Sequence, residues 1–262
     1  KYLGKGTFSR VWLVYDLITN NFLAMKMVYS KYSEDAEHEI EMYRHLGNKY
    51  NHVTRFYDNF IFNDQVCLIT ELMGICLLDF VKNYLNMKDM DKRWYDTPES
   101  NEVLPIELVK LIFKQLFTGL HELHSKNIVH TDIKPENIML NIFPVKIERI
   151  KKWFTETGIK DKYDELVLNL LPDTFNNAEP LKKKQIKKKC RFKALNLLKQ
   201  DIKKRIIEYH EDILSEKRYK AESIIDIDNV SHIEVDQVDS DDLFTINSID
   251  NLVCKIIDLG NS

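Results

Sequence analysis

The sequence predicts an α+β fold, a strand-rich beginning followed by helices, and three observations carry that expectation. Residues 1–30 hold two β-branched and aromatic runs, Val11-Trp12-Leu13-Val14-Tyr15 and Phe22-Leu23-Ala24-Met25-Lys26-Met27-Val28, separated by the turn-prone Thr19-Asn20-Asn21. Pro105 to Lys126 is the clearest helix: Leu108, Leu111, Ile112, Gln115, Leu116, Gly119, Leu120, Leu123 and His124 line one face, and Pro105 sits in the first turn. After Leu140 the character changes, and residues 146–251 are charged, poor in aromatics and only locally periodic.

The remaining elements follow in order. From Ser33 to Leu46, Ala36, Ile40, Tyr43 and Leu46 recur at three and four, with Glu34 and Asp35 near the start, so an amphipathic helix is predicted. Strands are predicted near Val53 to Phe62 and Gln65 to Thr70, then a break at Gly74 and a short helix over Leu77 to Tyr84. Lys88 to Glu102 reads as a polar loop or insertion. Residues 146–251 read as a spacer, partly helical or disordered. Residues 181–205 carry twelve Lys or Arg against one Asp, and residues 221–254 carry nine Asp or Glu and no Lys or Arg. Ala194, Leu195, Leu197, Leu198, Ile202, Ile206 and Ile207 permit a helix through the basic block. A final strand is expected over Leu252 to Ile257.

Composition limits the function classes. With 262 residues, 44% hydrophobic and 11% aromatic, the chain is that of a globular protein, and its net charge of −3 points to no global attraction for nucleic acid or membranes. No apolar run reaches the roughly 18 residues needed to span a bilayer, and no signal-peptide core opens the chain. Cys67, Cys76, Cys190 and Cys254 are scattered, which argues for reduced thiols rather than a zinc site or disulfides. The expectation is a cytoplasmic monomer, with the nucleus as a second compartment. The basic block has three further readings: a nuclear-localisation patch, an RNA-contacting patch and a partner for the acidic run Glu222 to Asp250. A solvated insert is favoured over nucleic-acid contact.

Chemistry concentrates in His130-Thr131-Asp132-Ile133-Lys134-Pro135-Glu136-Asn137, which puts a base, a cation and a metal ligand in one loop. In the pattern H-x-D-x-x-x-x-N the Asp accepts a hydroxyl's hydrogen bond and the Asn holds a magnesium ion, roles that fall on Asp132 and Asn137. Lys134 adds positive charge where a transferring phosphoryl group needs it. Upstream, Leu3-Gly4-Lys5-Gly6-Thr7-Phe8-Ser9-Arg10-Val11 lies between strand stretches, as a phosphate-covering hairpin does; Ser9 replaces a third glycine, and there is no Walker A ending. Ala24-Met25-Lys26 matches the strand whose Lys reaches the α and β phosphates, the plainer alternative being a snorkelling surface lysine. Glu39 is the expected partner by helical register, in competition with Glu34, Glu37 and Glu41. Asp258 opens Asp-Leu-Gly, the position of a magnesium chelator.

These motifs, in this order, resemble the eukaryotic-type protein kinases. Within them the chain resembles the SR-protein kinases, on Gly6-Thr7-Phe8-Ser9-Arg10-Val11-Trp12-Leu13, Glu71-Leu72-Met73-Gly74 with Leu77-Leu78, the His130 to Asn137 loop, and Lys255-Ile256-Ile257-Asp258-Leu259-Gly260-Asn261. LAMMER and dual-specificity kinases share much of this set, but D-L-G-N and the spacer's position favour the SR-protein type. The resemblance implies a bilobal, protein-kinase-like α+β fold: a β-rich small lobe with hinge over 1–73, the first part of the helical large lobe over 74–145, the spacer over 146–251, and a strand with the metal-binding D-L-G over 252–262. It implies ATP and Mg2+ as cofactors, protein Ser/Thr hydroxyls as acceptors and Arg/Ser-rich splicing-type proteins as substrates.

By the same resemblance Leu3, Val11 and Ala24 lie above the adenine and Met139 below it, with the backbone from Glu71 to Met73 on its edge. Thr70 takes the gatekeeper position, where the family usually has a bulky aromatic. Thr131 replaces an Arg that pairs with a phosphorylated activation loop, which implies activity without that phosphorylation.

The chain opens at Lys1 inside a strand and stops four residues after Asp258, so it reads as part of something longer. Without an activation segment, an A-P-E anchor and further helices it is expected to be poorly active as it stands. The alternative reading is a catalytically incomplete nucleotide-binding or scaffolding module.

Overall fold

The computed structural model describes residues 1–86, 104–225 and 251–261, so the loop expected over Lys88 to Glu102 and most of the acidic run lie outside the described residues. The chain divides into two compact units, residues 1–149 with 239–262, and residues 150–238.

The first unit begins with strands β1 (Tyr2–Lys5), β2 (Ser9–Asp16) and β3 (Asn21–Val28), then helix α1 (Ser33–Leu46) and strands β4 (Phe56–Phe62) and β5 (Gln65–Glu71). All five strands form one antiparallel sheet in the order β1-β2-β3-β5-β4. The ladder pairs Val11 with Lys26, Leu13 with Ala24, Ala24 with Thr70 and Lys26 with Leu68. Directly opposed residues share a face, so Val11, Ala24, Lys26 and Thr70 stand on one side of the sheet. The strand expected from Val53 begins three residues later, because Val53 and Thr54 instead pair with Ile256.

α2 (Leu77–Asn86) and α3 (Ile106–His124) follow, then a short 3-10 turn over Pro135–Asn137 and strand β6 (Ile138–Leu140). α3 buries Leu108, Ile112, Gln115, Leu116, Gly119 and Leu123. His124, expected on that face, is exposed, because the helix ends there and the chain turns away. A Cβ on Gly119 would lie 2.7 Å from the His52 carbonyl oxygen, so glycine permits the close approach of α3 to the segment before β4. Strand β7 (Cys254–Ile256) pairs antiparallel with β6. Val28, Ala36, Ile40, Leu68, Phe80, Ile112, Leu140 and Ile256 belong to one continuous apolar core.

The second unit is helical. α4 (Val145–Glu156) begins just before it, and α5 (Ile159–Asn169) and α6 (Pro180–Ile225) follow. α6 is a continuous 46-residue helix, more regular than the sequence suggested, since Lys, Leu, Glu and Ala all favour helix even where amphipathicity is weak. Cys190, Ala194 and Leu198 recur every fourth residue and are buried; α6 packs against α5, and the Cys190 thiol donates to the Leu170 carbonyl at 3.2 Å. Lys182, Lys184, Lys187, Lys188 and Lys189 are exposed. Among the described residues no helix is long and apolar enough to cross a membrane.

Candidate active site

β3 and α1 bring Lys26 to Glu39, with Nζ 2.7 Å from Oε2, and the segment after β7 brings Asp258 Oδ1 to 2.8 Å from the same Nζ. Of the four candidate acids on α1, only Glu39 is buried, while Glu34, Glu37 and Glu41 are exposed. Burial opposes the charge of Lys26, but the fields of Glu39 and Asp258 outweigh it and its pKa is raised. Glu39 has only that one cation and a second carboxylate nearby, so burial prevails and its pKa is raised too. Tyr43, one helical turn on, is 3% exposed and stacks on Phe56 at 5.6 Å. Burial pushes its phenol well above the usual range.

The His130 to Asn137 loop is held from β7. His130 is 1% exposed; its Nε2 donates to the Ile257 carbonyl at 2.8 Å and its Nδ1 accepts from the Asp132 amide at 3.3 Å. Both bonds require the same tautomer, with the proton on Nε2. The Asp132 amide also donates to the His130 carbonyl at 2.8 Å, closing a three-residue turn on Thr131 at φ 60°. Positive φ is costly for a β-branched residue, and Asp258 has φ 66° as well, so backbone strain collects at both functional loops.

This turn presents the Asp132 carboxylate outward, 2.6 Å from Lys134 Nζ. The hydrogen bond from Lys134 holds Asp132 below the usual carboxylate range, and Asp132 in turn raises Lys134. Asn137 Nδ2 donates to the Asp132 carbonyl at 3.0 Å and to Oδ2 at 3.1 Å. The Asn137 carbonyl accepts from the Ile257 amide at 3.0 Å, tying the loop to the residue before Asp258.

In the hairpin between β1 and β2, the Gly6 amide donates to the Ser9 carbonyl at 2.9 Å, and Phe8 packs edge-on against Tyr32 at 4.8 Å. Gly4 and Gly6 are not among the residues with positive φ. A Cβ on Gly4 would meet nothing within 4 Å, and on Gly6 nothing nearer than 3.8 Å. Glycine here therefore leaves open room over the backbone rather than permitting an unusual turn. Ser9 is buried; Leu3, Val11, Ala24, Glu71 and Met139 are half-buried and Met73 buried; Lys5 and Thr7 are exposed. Arg10 falls on the other face of the ladder from Val11, its guanidinium 5.5 Å above the Tyr29 ring, so the structure does not bring it beside Lys26.

Sequence reasoning gave Gln115 only a place on the helix face and Lys255 only a place in the run ending in the D-L-G-N motif, with no bonding partner for either. Gln115 clamps the chain before and into β7: its Nε2 donates to the Leu252 carbonyl at 2.8 Å, while Oε1 accepts from the Cys254 amide at 2.7 Å. Lys255 is 5% exposed and ends on Glu71, Nζ to Oε2 2.6 Å. Their signal in the sequence was a polar residue inside an otherwise apolar run.

Against this geometry, comparison with known proteins is decisive on one point: the protein kinase domain family model matches residues 1–148, more than half of the chain. The chain belongs to the protein kinase domain family. Over 147 residues it is 36% identical to the probable serine/threonine-protein kinase clkA of Dictyostelium discoideum, covering 53% of this chain and 14% of that protein. It is 32% identical over 160 residues to the serine/threonine-protein kinase SKY1 of Saccharomyces cerevisiae, covering 55% and 20%. Against SRSF protein kinase 3 of Mus musculus it is 33% identical over 169 residues, covering 59% and 27%. The chain thus spans 14% to 27% of the length of these curated relatives.

A protein kinase domain implies ATP and Mg2+. The donors present fit that pair. Asn137 spends Nδ2 on Asp132, which leaves Oδ1 for a cation, and Asp258 spends Oδ1 on Lys26, which leaves Oδ2. These are hard oxygen donors of the kind Mg2+ takes. Among the described residues no group of three or more His, Cys, Asp and Glu could cage a metal.

Proposed function

We propose that this chain carries the nucleotide-binding and phosphoryl-transfer machinery of a serine/threonine protein kinase that acts on Arg/Ser-rich proteins. The observation that carries the reading is the cation Lys26 held between Glu39 and Asp258, on the same unit as the Asp132, Lys134 and Asn137 cluster. In this reading Lys26 would orient the α and β phosphates, and Asn137 and Asp258 would hold the Mg2+, which would supply charge to neutralise the phosphates. Leu3, Val11 and Ala24 would cover the adenine from one side and Met139 from the other. Asp132 accepts the hydrogen bond of the substrate hydroxyl, and Lys134 keeps that carboxylate ionised while offering its charge to the transferred group. The narrower substrate class draws its support from Thr131, from the D-L-G-N run at Asp258, and from similarity to a relative named as an SRSF protein kinase. Thr131 has no charge with which to grip a phosphorylated loop, which supports activity without that modification.

The test is phosphoryl transfer from labelled ATP, with and without Mg2+, to an Arg/Ser-repeat peptide and to the same peptide with Ala for Arg. Transfer is expected to require Mg2+, to prefer the Arg-containing peptide, and to fall roughly 10²- to 10⁴-fold in Asp132→Ala. Equal rates on both peptides would overturn the substrate class, and full activity in Asp132→Ala would overturn the assignment of the base. Lys134→Ala adds a pH readout: losing the hydrogen bond that holds Asp132 low raises its pKa, so the acid limb of kcat/KM should move to higher pH. An unmoved limb would mean that Asp132 is not the group titrating.

A further inference from the structure

Lys255 is the only buried lysine among the described residues, and apolar packing alone gives no reason for an ammonium there. A Met of similar length would fill the same space without the cost of desolvating a charge, and replacing a buried ion pair by apolar groups is often neutral or stabilising. What the ammonium adds is a fixed direction. Lys255 is directly opposite Met139 in the β6–β7 ladder, so both side chains stand on the same face, and Nζ reaches Glu71 Oε2 at 2.6 Å. The same oxygen accepts from the Arg55 amide at 3.4 Å, and the Glu71 amide donates to the Arg55 carbonyl at 2.9 Å, so the carboxylate is itself held in place. Glu71 ends β5, and the segment after it is bonded onto β6: the Gly74 amide donates to the Leu140 carbonyl at 2.8 Å and the Leu140 amide to the Ile75 carbonyl at 2.9 Å. Three residues beyond Lys255 is Asp258.

We infer that Lys255 is a positioning residue whose ion pair with Glu71 couples capture of the nucleotide's base, at Glu71 to Met73, to capture of Mg2+ at Asp258. The inference rests on the nucleotide reading proposed above. The pair links two segments 184 positions apart in sequence, one meeting the base and the other the cation. A base seated on the Glu71 segment fixes Glu71, Glu71 fixes Lys255, and the short strand β7 carries that constraint to Asp258.

The experiment is titration of this chain with a fluorescent ATP, labelled on the ribose, in Mg2+ and in excess EDTA. The ratio of the two dissociation constants measures the coupling, and thermal unfolding of each variant is recorded alongside. The unsubstituted chain is expected to bind at least tenfold tighter with Mg2+. Lys255→Met should bring the ratio to within about twofold of one at nearly unchanged Tm, Glu71→Gln should lower the ratio as far but with a lower Tm because it strands the buried ammonium, and Lys255→Arg, which keeps the charge, should recover most of the ratio. A full ratio in Lys255→Met or in Glu71→Gln would overturn the inference and leave the nucleotide reading standing. Equal loss in the Met and Arg variants would also overturn it, marking the site as one of shape rather than charge. Absence of Mg2+-linked binding in the unsubstituted chain would instead overturn the nucleotide reading, and this inference with it.

Discussion

In the unit formed by residues 1–149 and 239–262, the side chains of Lys26 and Lys255 are 23% and 6% exposed, and each ends within 2.8 Å of a carboxylate. In the unit formed by residues 150–238, Lys152 and Lys204 are 77% and 76% exposed and stand 3.8 and 3.6 Å from Glu156 and Glu208, one helical turn away. The residue type is the same but its physical work differs. An ammonium stripped of water is worth only what its partners return, so its partners are fixed. A solvated one has modest attraction and freedom to lose it. Lys26 and Lys255 therefore use charge to specify an arrangement, whereas Lys152 and Lys204 keep helix faces in water; between the two kinds stands Lys162 of the second unit, half exposed, which ties α5 to Asp201 of α6 at 2.9 Å.

The largest break in that comparison should come from the backbone that supports the charged cluster. A Cβ on Gly74 would sit 1.8 Å from the Ile142 carbonyl oxygen and 2.3 Å from its carbon, and backbone cannot rotate aside. Gly74→Ala is expected to cost about 3 kcal/mol, the upper end for overpacking, read in the urea midpoint of the first unit. A midpoint unchanged from the parent chain would contradict the close contact.

Next comes Lys26→Ala, which strands Glu39, 4% exposed, beside Asp258. The expected loss is on the order of 3 kcal/mol at pH 8. Its sign with pH follows from the raised pKa of Glu39. The folded state then binds more protons than the unfolded one, so the variant should lose stability as pH rises through the folded value and regain it as pH falls back below that value. A loss that grew on acidification would show that Glu39 is not the group left unpaired.

Smallest is Lys204→Ala on α6, expected within about 0.5 kcal/mol and insensitive to salt beyond that margin. A larger loss would mean that the exposed basic face of the second unit is structurally engaged and would erase the contrast.

Some of this was legible in the chain before folding. Ser33 to Leu46 is helical over the expected span, because its apolar residues recur at three and four and its acids stand in the first turn. Helical register also singled out Glu39, since the spacing that buries Ala36, Ile40 and Tyr43 turns Glu37 and Glu41 outward. Other features resisted reading. Val53 and Thr54 have strand-forming side chains, yet they are drawn to Ile256, some two hundred positions away, rather than into β4. α6 runs 46 residues although its sequence shows little amphipathicity, because propensity accumulates over length where a pattern does not.

The sequence by itself determined most elements of the first unit and the polar groups of the loop from His130 to Asn137, because periodicity, turn chemistry and short spacing act between near neighbours. Only the tertiary structure decided which face of the sheet Arg10 takes, that Gln115 clamps β7, and that Lys255 loses its water to meet Glu71. Lys26 and Asp258 are 232 positions apart, and Lys255 and Glu71 are 184 apart. At such separations no local pattern marks the partner, since the encounter depends on how strands and helices pack and on which charges that packing removes from water.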